Sequence, residues 1–246
     1  MTRFFIRKEN IHDADATIAG QEFEHLRRVL RLTVGDSVTL FDDTGSEYDA
    51  VIRSLHGDRG ELVIRRAYQA VRDSPLALTL ALGLTKGEKM DFVVEKATEL
   101  GVGSILPFTS SFTVPKLDGK KIANRTERWR KIALSAAKQC GRNRVPQILP
   151  LCEFRHMIEG AGASQLKLLF WEKETARSLR RVHEANATAT AILLAVGPEG
   201  GFSSGEAHLA AARDFHLVHL GRRILRAETA AVTALSLAQF LWGDLT

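Results

Sequence analysis

Two cysteines in 246 residues, Cys140 and Cys152, are too few for a disulfide framework and have no histidine at metal-ligand spacing, which fits a reducing compartment. No apolar run approaches the ~18 residues of a membrane span. The opening MTRFFIRKEN also lacks the apolar segment of a secretory signal, so a cytoplasmic place and no membrane partner are expected. There is no G-x-x-x-x-G-K-[ST], and no G-x-G-x-x-G opens a helix after a strand, which leaves P-loop nucleotide hydrolysis and dinucleotide binding without support. His25, His56, His183, His216 and His219 show no spacing to Asp or Cys that suggests a triad or a metal, so none is given a role and no metal is expected.

What is present is ordinary for a globular chain: 45% hydrophobic and 26% charged residues, enough for a real core in one large or two small domains. The net charge of +5 is unevenly spread. Residues 1–72 hold 11 Lys/Arg against 12 Asp/Glu, whereas the stretch from Lys116 to Arg144 alone holds ten bases against Asp118 and Glu127. Such a run is either a solvated helix face or the electrostatic footprint of a polyanion-binding surface.

The first 72 residues alternate over short stretches, at Val38-Leu40-Phe41, Tyr48 to Ile52 and Leu62 to Ile64, punctuated by Gly35-Asp36, Asp43-Thr44-Gly45 and Gly57-Asp58. These spacings predict hairpin strands of a small β-barrel-like domain. One helix interrupts them, in which Phe23, Leu26, Val29 and Leu30 recur at helical spacing and leave Arg27, Arg28 and Arg31 to neighbouring faces. The polar QAVRDSP marks a boundary, dividing the chain into 1–72 and 73–246.

Beyond it the pattern becomes one of continuous apolar runs, Leu76 to Leu82, Ile105 to Phe108, Leu166 to Trp171, Ile192 to Val196 and Leu217 to Leu220, as expected of strands buried on both faces of a parallel sheet. Helices are predicted between them: Glu88 to Leu100 ending at Gly101, and Asn124 to Cys140 ending at Gly141, the latter opening on a capping-box pattern with Glu127. Ser203-x-x-Glu206 repeats that box. The fold class is α/β with a parallel sheet. The last helix, Glu228 to Trp242, is apolar almost all round and so requires burial on more than one side.

Two glycine-marked loops stand out in this second half, each in a strand, loop, helix context: Gly197-Pro198-Glu199-Gly200-Gly201 after Ile192 to Val196, and a basic loop, Arg222 to Arg226, after Gly221. Ligands of open α/β sheets sit beyond the carboxyl ends of the strands, and glycines let backbone amides approach them closely. Each loop taken alone is equally a tight connection. Together, with three arginines in the second, they point to a small-molecule site.

GPEGGFS followed by LGRRILRAETA resembles the C-terminal signature of the SPOUT methyltransferases, specifically the bacterial 16S ribosomal RNA uridine-N3 methyltransferases. GEKMDFVVEKATELGV (Gly87 to Val102) and CGRNRVP (Cys140 to Pro146) resemble the same family in order and spacing, so the likeness spans most of the chain. It implies a PUA-like RNA-binding domain over 1–72 and a SPOUT domain over 73–246, tied in a C-terminal trefoil knot whose loops form an S-adenosylmethionine pocket. It also implies a homodimer, and a substrate in the 16S rRNA of the small ribosomal subunit. General connection rules, which make knots essentially absent, argue the other way on the knot.

By motif position the resemblance assigns the cofactor pocket to Phe170, Trp171 and Glu172, to Gly197, Pro198, Glu199, Gly200 and Gly201, and to Leu220, Gly221, Arg222, Arg223, Ile224 and Leu225. Methylating N3 of uridine requires loss of its proton and stabilisation of an anion spread over O2 and O4. Arg226 is the candidate for the uracil oxygens, and Glu199 and Glu228 for the proton, although Glu228 is equally explained as a first-turn carboxylate favoured by the helix dipole. For RNA the candidates are Arg27, Arg28 and Arg31 on the N-terminal helix, Lys86 and Lys89 flanking Gly87, and Arg142, Asn143 and Arg144. A SPOUT enzyme acting on tRNA, or a nonenzymatic RNA-binding assembly factor, remain as alternatives.

Overall fold

The alternating stretches of the first 72 residues pair as strands in a computed structural model, which describes residues 2–113, 119–162 and 166–246. Lys116 and Asp118 of the basic stretch lie outside the described residues. Two compact units result, Met1–Asp73 with Ala137–Val145, and Ser74–Ala136 with Pro146–Thr246. Residues 137–145 thus count with the first unit, although the polar break in the sequence falls once, near residue 72.

Among the described residues the first unit has six strands: β1 (Arg3–Phe5), β2 (Ile11–His12), β3 (Asp15–Ala19), β4 (Ser37–Phe41), β5 (Ser46–His56) and β6 (Arg59–Gln69), in the order β1-β4-β5-β6-β3-β2. Only β1 against β4 is parallel. Gly57, at φ +55°, turns β5 into β6. Alternate residues such as Phe4, Ile18, Leu40, Ile52 and Leu62 point into one core and close on Phe23 and Leu26.

Those last two stand on α1 (Gly20–Glu24) and the turn that follows it. Val29 and Leu30 were expected on the same face; instead they are 69% and 37% exposed. The reason is a wide π-helical turn at His25–Val29, in which the Leu30 N–H reaches back to the His25 carbonyl at 3.0 Å. That turn advances each residue less than an α-helix does, so the 3.6-residue face is lost after Leu26.

Strand β7 (Ala77–Gly83) opens the second unit and is followed by α2 (Lys89–Glu99), β8 (Ser104–Thr109) and α3 (Gly119–Cys140). Helix α3 starts before the expected Asn124, because Lys120, Lys121 and Ala123 are good helix formers and carry the helix past the capping pattern. The short β9 (Gln147–Ile148), β10 (Cys152–Glu153) and α4 (Phe154–Gly160) come next, then β11 (Leu166–Phe170), α5 (Leu179–Ala185), β12 (Ala191–Val196), α6 (Ser204–Ala211), β13 (His216–Val218) and α7 (Ala227–Trp242).

The capping box expected at Ser203 is formed: the Glu206 N–H donates to Ser203 Oγ and the Ser203 N–H to Glu206 Oε2. Leu220, expected at a strand end, lies in a loop. Among the described residues the sheet is seven-stranded and all parallel, in the order β10-β8-β7-β12-β11-β13 with β9 beside β8. No described helix is long and apolar enough to cross a membrane.

The register of this sheet sets up the site. Phe170, the last residue of β11, pairs with Val196 on one side and Val218 on the other. The chain therefore leaves β11, β12 and β13 at one level, and their three loops begin side by side at the carboxyl edge. Beneath them Leu168, Leu169, Leu194 and Ala195 are buried. Phe202, closing the glycine loop, stacks on Phe108 at 6.1 Å and packs against Phe154 at 5.5 Å, which anchors the loop in the core.

Candidate functional site

The three loops enclose a cavity of about 550 Å³, within the range of small-molecule sites. Phe170, Trp171 and Glu172 line it from the loop after β11, Gly197 to Gly201 from the loop after β12, and Leu220 to Arg226 from the loop after β13. Every residue that motif position assigned to a cofactor is brought together here.

Glycine is required at this wall for steric reasons. Gly201 has φ +68°, and a Cβ there would stand 3.0 Å from Glu172 Oε2. At Gly200 a Cβ would meet the Phe112 side chain at 2.6 Å, and at Gly197 the Gly201 backbone at 3.1 Å. The loop is a closed turn, with the Gly201 N–H donating to the Pro198 carbonyl at 2.9 Å. Trp171 secures its far end by donating Nε1–H to the Phe202 carbonyl at 3.2 Å.

Charges are distributed around the cavity with both signs. Glu199 Oε1 accepts from the Lys86 N–H and from Lys89 Nζ, each at 3.0 Å. Burial pushes the Glu199 carboxyl up, but the hydrogen bonds from Lys89, Lys86 and its own N–H reverse this and hold it below the usual carboxylate range. Arg226, exposed at the N-cap of α7, lines the cavity, as do Arg222 and Arg223. Glu228 stands in the first turn of α7 with its Oε2 3.9 Å from Lys89 Nζ. Among the described residues, no group of three His, Cys, Asp or Glu side chains could hold a metal ion.

The residues proposed for RNA are dispersed. In the first unit Arg27 donates to the Gly57 carbonyl at 3.3 Å, Arg28 pairs with Glu24 at 2.7 Å, and Arg31 is exposed at φ +54°. In the second, Lys86 is exposed and Lys89 lines the cavity. Arg142 and Asn143 are not on a surface that RNA could touch. Arg142 is 6% exposed with Nε on Asp73 at 2.7 Å, and Asn143 is 1% exposed, donating to the carbonyls of Gly45 and Ala70. They hold residues 137–145 in the first unit, and Arg144 alone of the three is exposed. Elsewhere in the basic stretch Lys138 is spent on Glu22 at 2.8 Å, whereas Lys120, Lys121, Arg130 and Lys131 face solvent.

Among the residues at or beneath the cavity, His219 and Gly83 were not foreseen. His219, given no role, lines the cavity and accepts the Gly221 N–H on Nδ1 at 3.1 Å, which fixes the start of the basic loop. Its position two residues before a glycine was the only signal. Gly83, which ends β7, lies under Pro198 and was masked by its place in an apolar strand.

Residues 72–239 match the family model described as an RNA methyltransferase domain, and residues 18–65 match that of an RNA methyltransferase PUA domain. The ribosomal RNA small subunit methyltransferase E of Bacillus subtilis is 31% identical over 243 residues, covering 96% of this chain and 95% of that protein. The crystal structure of a ribosomal RNA small subunit methyltransferase E from Neisseria gonorrhoeae, bound to S-adenosyl methionine, is similar with a TM-score of 0.91 at 34% identity over 100% of both chains. A Legionella pneumophila protein solved with the same compound as bound cofactor gives a TM-score of 0.92 at 32% identity, again over 100% of both chains.

Proposed function

The chain belongs to the RNA methyltransferase family that includes ribosomal RNA small subunit methyltransferase E, and on that premise we propose that it is an S-adenosylmethionine-dependent enzyme methylating N3 of one uridine in 16S rRNA. The observation that carries the reading is the cavity built by three register-matched loops, each at a position where the motif resemblance expects cofactor contact. Full-length likeness to proteins named for ribosomal RNA favours that substrate over tRNA.

The residues present fit such a cofactor. Phe170, Leu220, Ile224 and Leu225 offer apolar surface for a purine, while Glu172, Glu199 and the amides beside Gly200 and Gly201 offer groups for its polar and cationic parts. When bound, S-adenosylmethionine supplies a methyl carbon that accepts the N3 electron pair as its bond to sulfur breaks, the bonding pair staying on sulfur. The protein's own work is to make N3 a nucleophile. Arg226, at the cavity mouth, balances the charge that spreads onto the uracil oxygens once the proton leaves. Glu199 or Glu228 takes that proton. Exposed arginines and lysines on α1's following turn and on α3 hold RNA phosphates, in a PUA-like domain over 1–72 and a SPOUT domain over 73–246.

The reading extends to a trefoil knot through the loops after β12 and β13, and to a cytoplasmic homodimer. Support for the dimer comes from α7, whose Phe240 and Leu237 are 65% and 37% exposed beside the half-buried Val232 and Leu241. Transfer of label from S-adenosylmethionine to small ribosomal subunits by the purified protein, lost in Gly201→Val together with cofactor binding by calorimetry, is the outcome expected. A Gly201→Val protein with normal affinity would remove the cavity from the account.

A further inference from the structure

Lys89 follows a glycine loop in the sequence and there suggests a phosphate contact; in the structure its ammonium is turned into the site. Nζ is 3.0 Å from Glu199 Oε1 and 3.9 Å from Glu228 Oε2. Glu228 Oε2 is buried and has no hydrogen-bond partner among the described residues. Two carboxylates, one on the glycine loop and one on the first turn of α7, therefore share one cation. That cation stands on the first residue of α2, a helix packed against α7.

We propose that Lys89 is a positioning residue for methyl transfer, which holds Glu199 and Glu228 together beside the cofactor loops. The inference rests on the methyltransferase reading above. Two carboxylates brought together each make the other harder to ionise, whereas a cation between them favours the charged form of both. Without it, Glu199 would lose the hydrogen bond and the charge of Lys89 that hold its carboxyl low. A lysine committed to two carboxylates also has no net positive charge left to offer a phosphate.

Other charged groups line the same cavity: Glu172 after β11, and His219, Arg222, Arg223 and Arg226 after β13. Among the described residues, Lys89 is the one side chain within ion-pair distance of Glu199 or Glu228. Lys86 contributes its backbone N–H to Glu199.

The test is the pH profile of single-turnover methylation on small ribosomal subunits for the wild type, Lys89→Met, Lys89→Gln and Lys89→Arg, with thermal unfolding as a check on folding. Loss of the charge in the Met and Gln variants should move the acidic limb upward by roughly one pH unit or more. Rates should recover at higher pH, and Lys89→Arg should restore the limb. RNA affinity should keep its salt dependence in all of them. An acidic limb that stays in place while the rate falls at every pH overturns the proposal. So does weaker RNA binding with a shallower salt dependence, which would make Lys89 a phosphate contact. A wild type that transfers no methyl group at any pH instead removes the functional reading, and this proposal with it.

Discussion

Gly83 and Pro198 are in such close apposition that a Cβ on the glycine would stand 2.5 Å from both Cδ and N of the proline. The last residue of β7 is thus the seat of the glycine loop that walls the cavity. Gly83→Ala should push that loop off its seat, costing on the order of 1–3 kcal/mol as overpacking does, with a larger loss of S-adenosylmethionine affinity. Gly205→Ala, in α6 where a Cβ meets nothing within 4 Å, should be neutral or slightly stabilising. Calorimetry and thermal unfolding of the two variants check this contrast.

Asn143 donates to two carbonyls, of Gly45 and Ala70, while 1% exposed. Asn143→Ala should remove the donor to the half-buried Ala70 carbonyl and leave the buried Gly45 carbonyl with the longer bond from the Ala70 N–H at 3.3 Å, destabilising the first unit by about 1–3 kcal/mol. Its effect on RNA binding should follow from that unfolding and vanish at low temperature. Lys131→Ala, at an exposed site on α3, should leave stability alone and reduce the salt slope of RNA binding by about one. Denaturant titration and filter binding at two salt concentrations separate the two effects.

How far the site could be read from the sequence follows from what each residue's neighbours reveal. Continuous apolar runs marked the long strands because a two-sided parallel sheet leaves little room for a polar face, and the first glycine loop was visible because a side chain at Gly197, Gly200 or Gly201 would crowd its neighbours. Arg142 and Asn143 misled for the opposite reason: basic and amide residues beside a glycine look like a solvated loop end. Only the distant partners Asp73, Gly45 and Ala70 show them to be internal. Lys89 likewise reads as a loop lysine until the fold places Glu199 beside it. The register that brings Phe170 level with Val196 and Val218 is a relation among three strands, which no local pattern carries.

Glu47 is fully buried in the first unit, with Arg3 at 3.0 Å, Arg72 at 2.8 Å and the Tyr68 hydroxyl at 3.2 Å. Burial pushes its carboxyl up, but hydrogen bonds and charges from Arg3 and Arg72 hold it below the usual carboxylate range. A carboxyl lowered in the folded state stabilises it above the unfolded value, and that stability is lost as pH falls through the folded value. Acid should therefore weaken the first unit below about pH 4. Glu47→Gln should be less stable at neutral pH, and its stability should vary less with pH in that acidic range. Unfolding followed from neutral pH to about pH 2 distinguishes this from a pH-independent loss.

Phe240 projects from α7 at 65% exposure, on the helix that carries Leu237 at 37%. Phe240→Glu should shift a dimer toward monomer, and because the side chain is exposed within the chain it should do so without unfolding it. Sedimentation at micromolar concentration checks both. A wild type that sediments as a monomer would count against the dimer.

Methyl transfer to a uridine base in the cavity is tested most directly by mass spectrometry of nucleosides from small-subunit rRNA after incubation with purified protein and labelled S-adenosylmethionine. One labelled product, 3-methyluridine, is expected at a single position. Arg226→Ala, at saturating substrate, should lower the rate about ten- to thousandfold with RNA affinity little changed. Label on a ribose, on another base or on tRNA, or an Arg226→Ala enzyme with normal turnover, would contradict this reading.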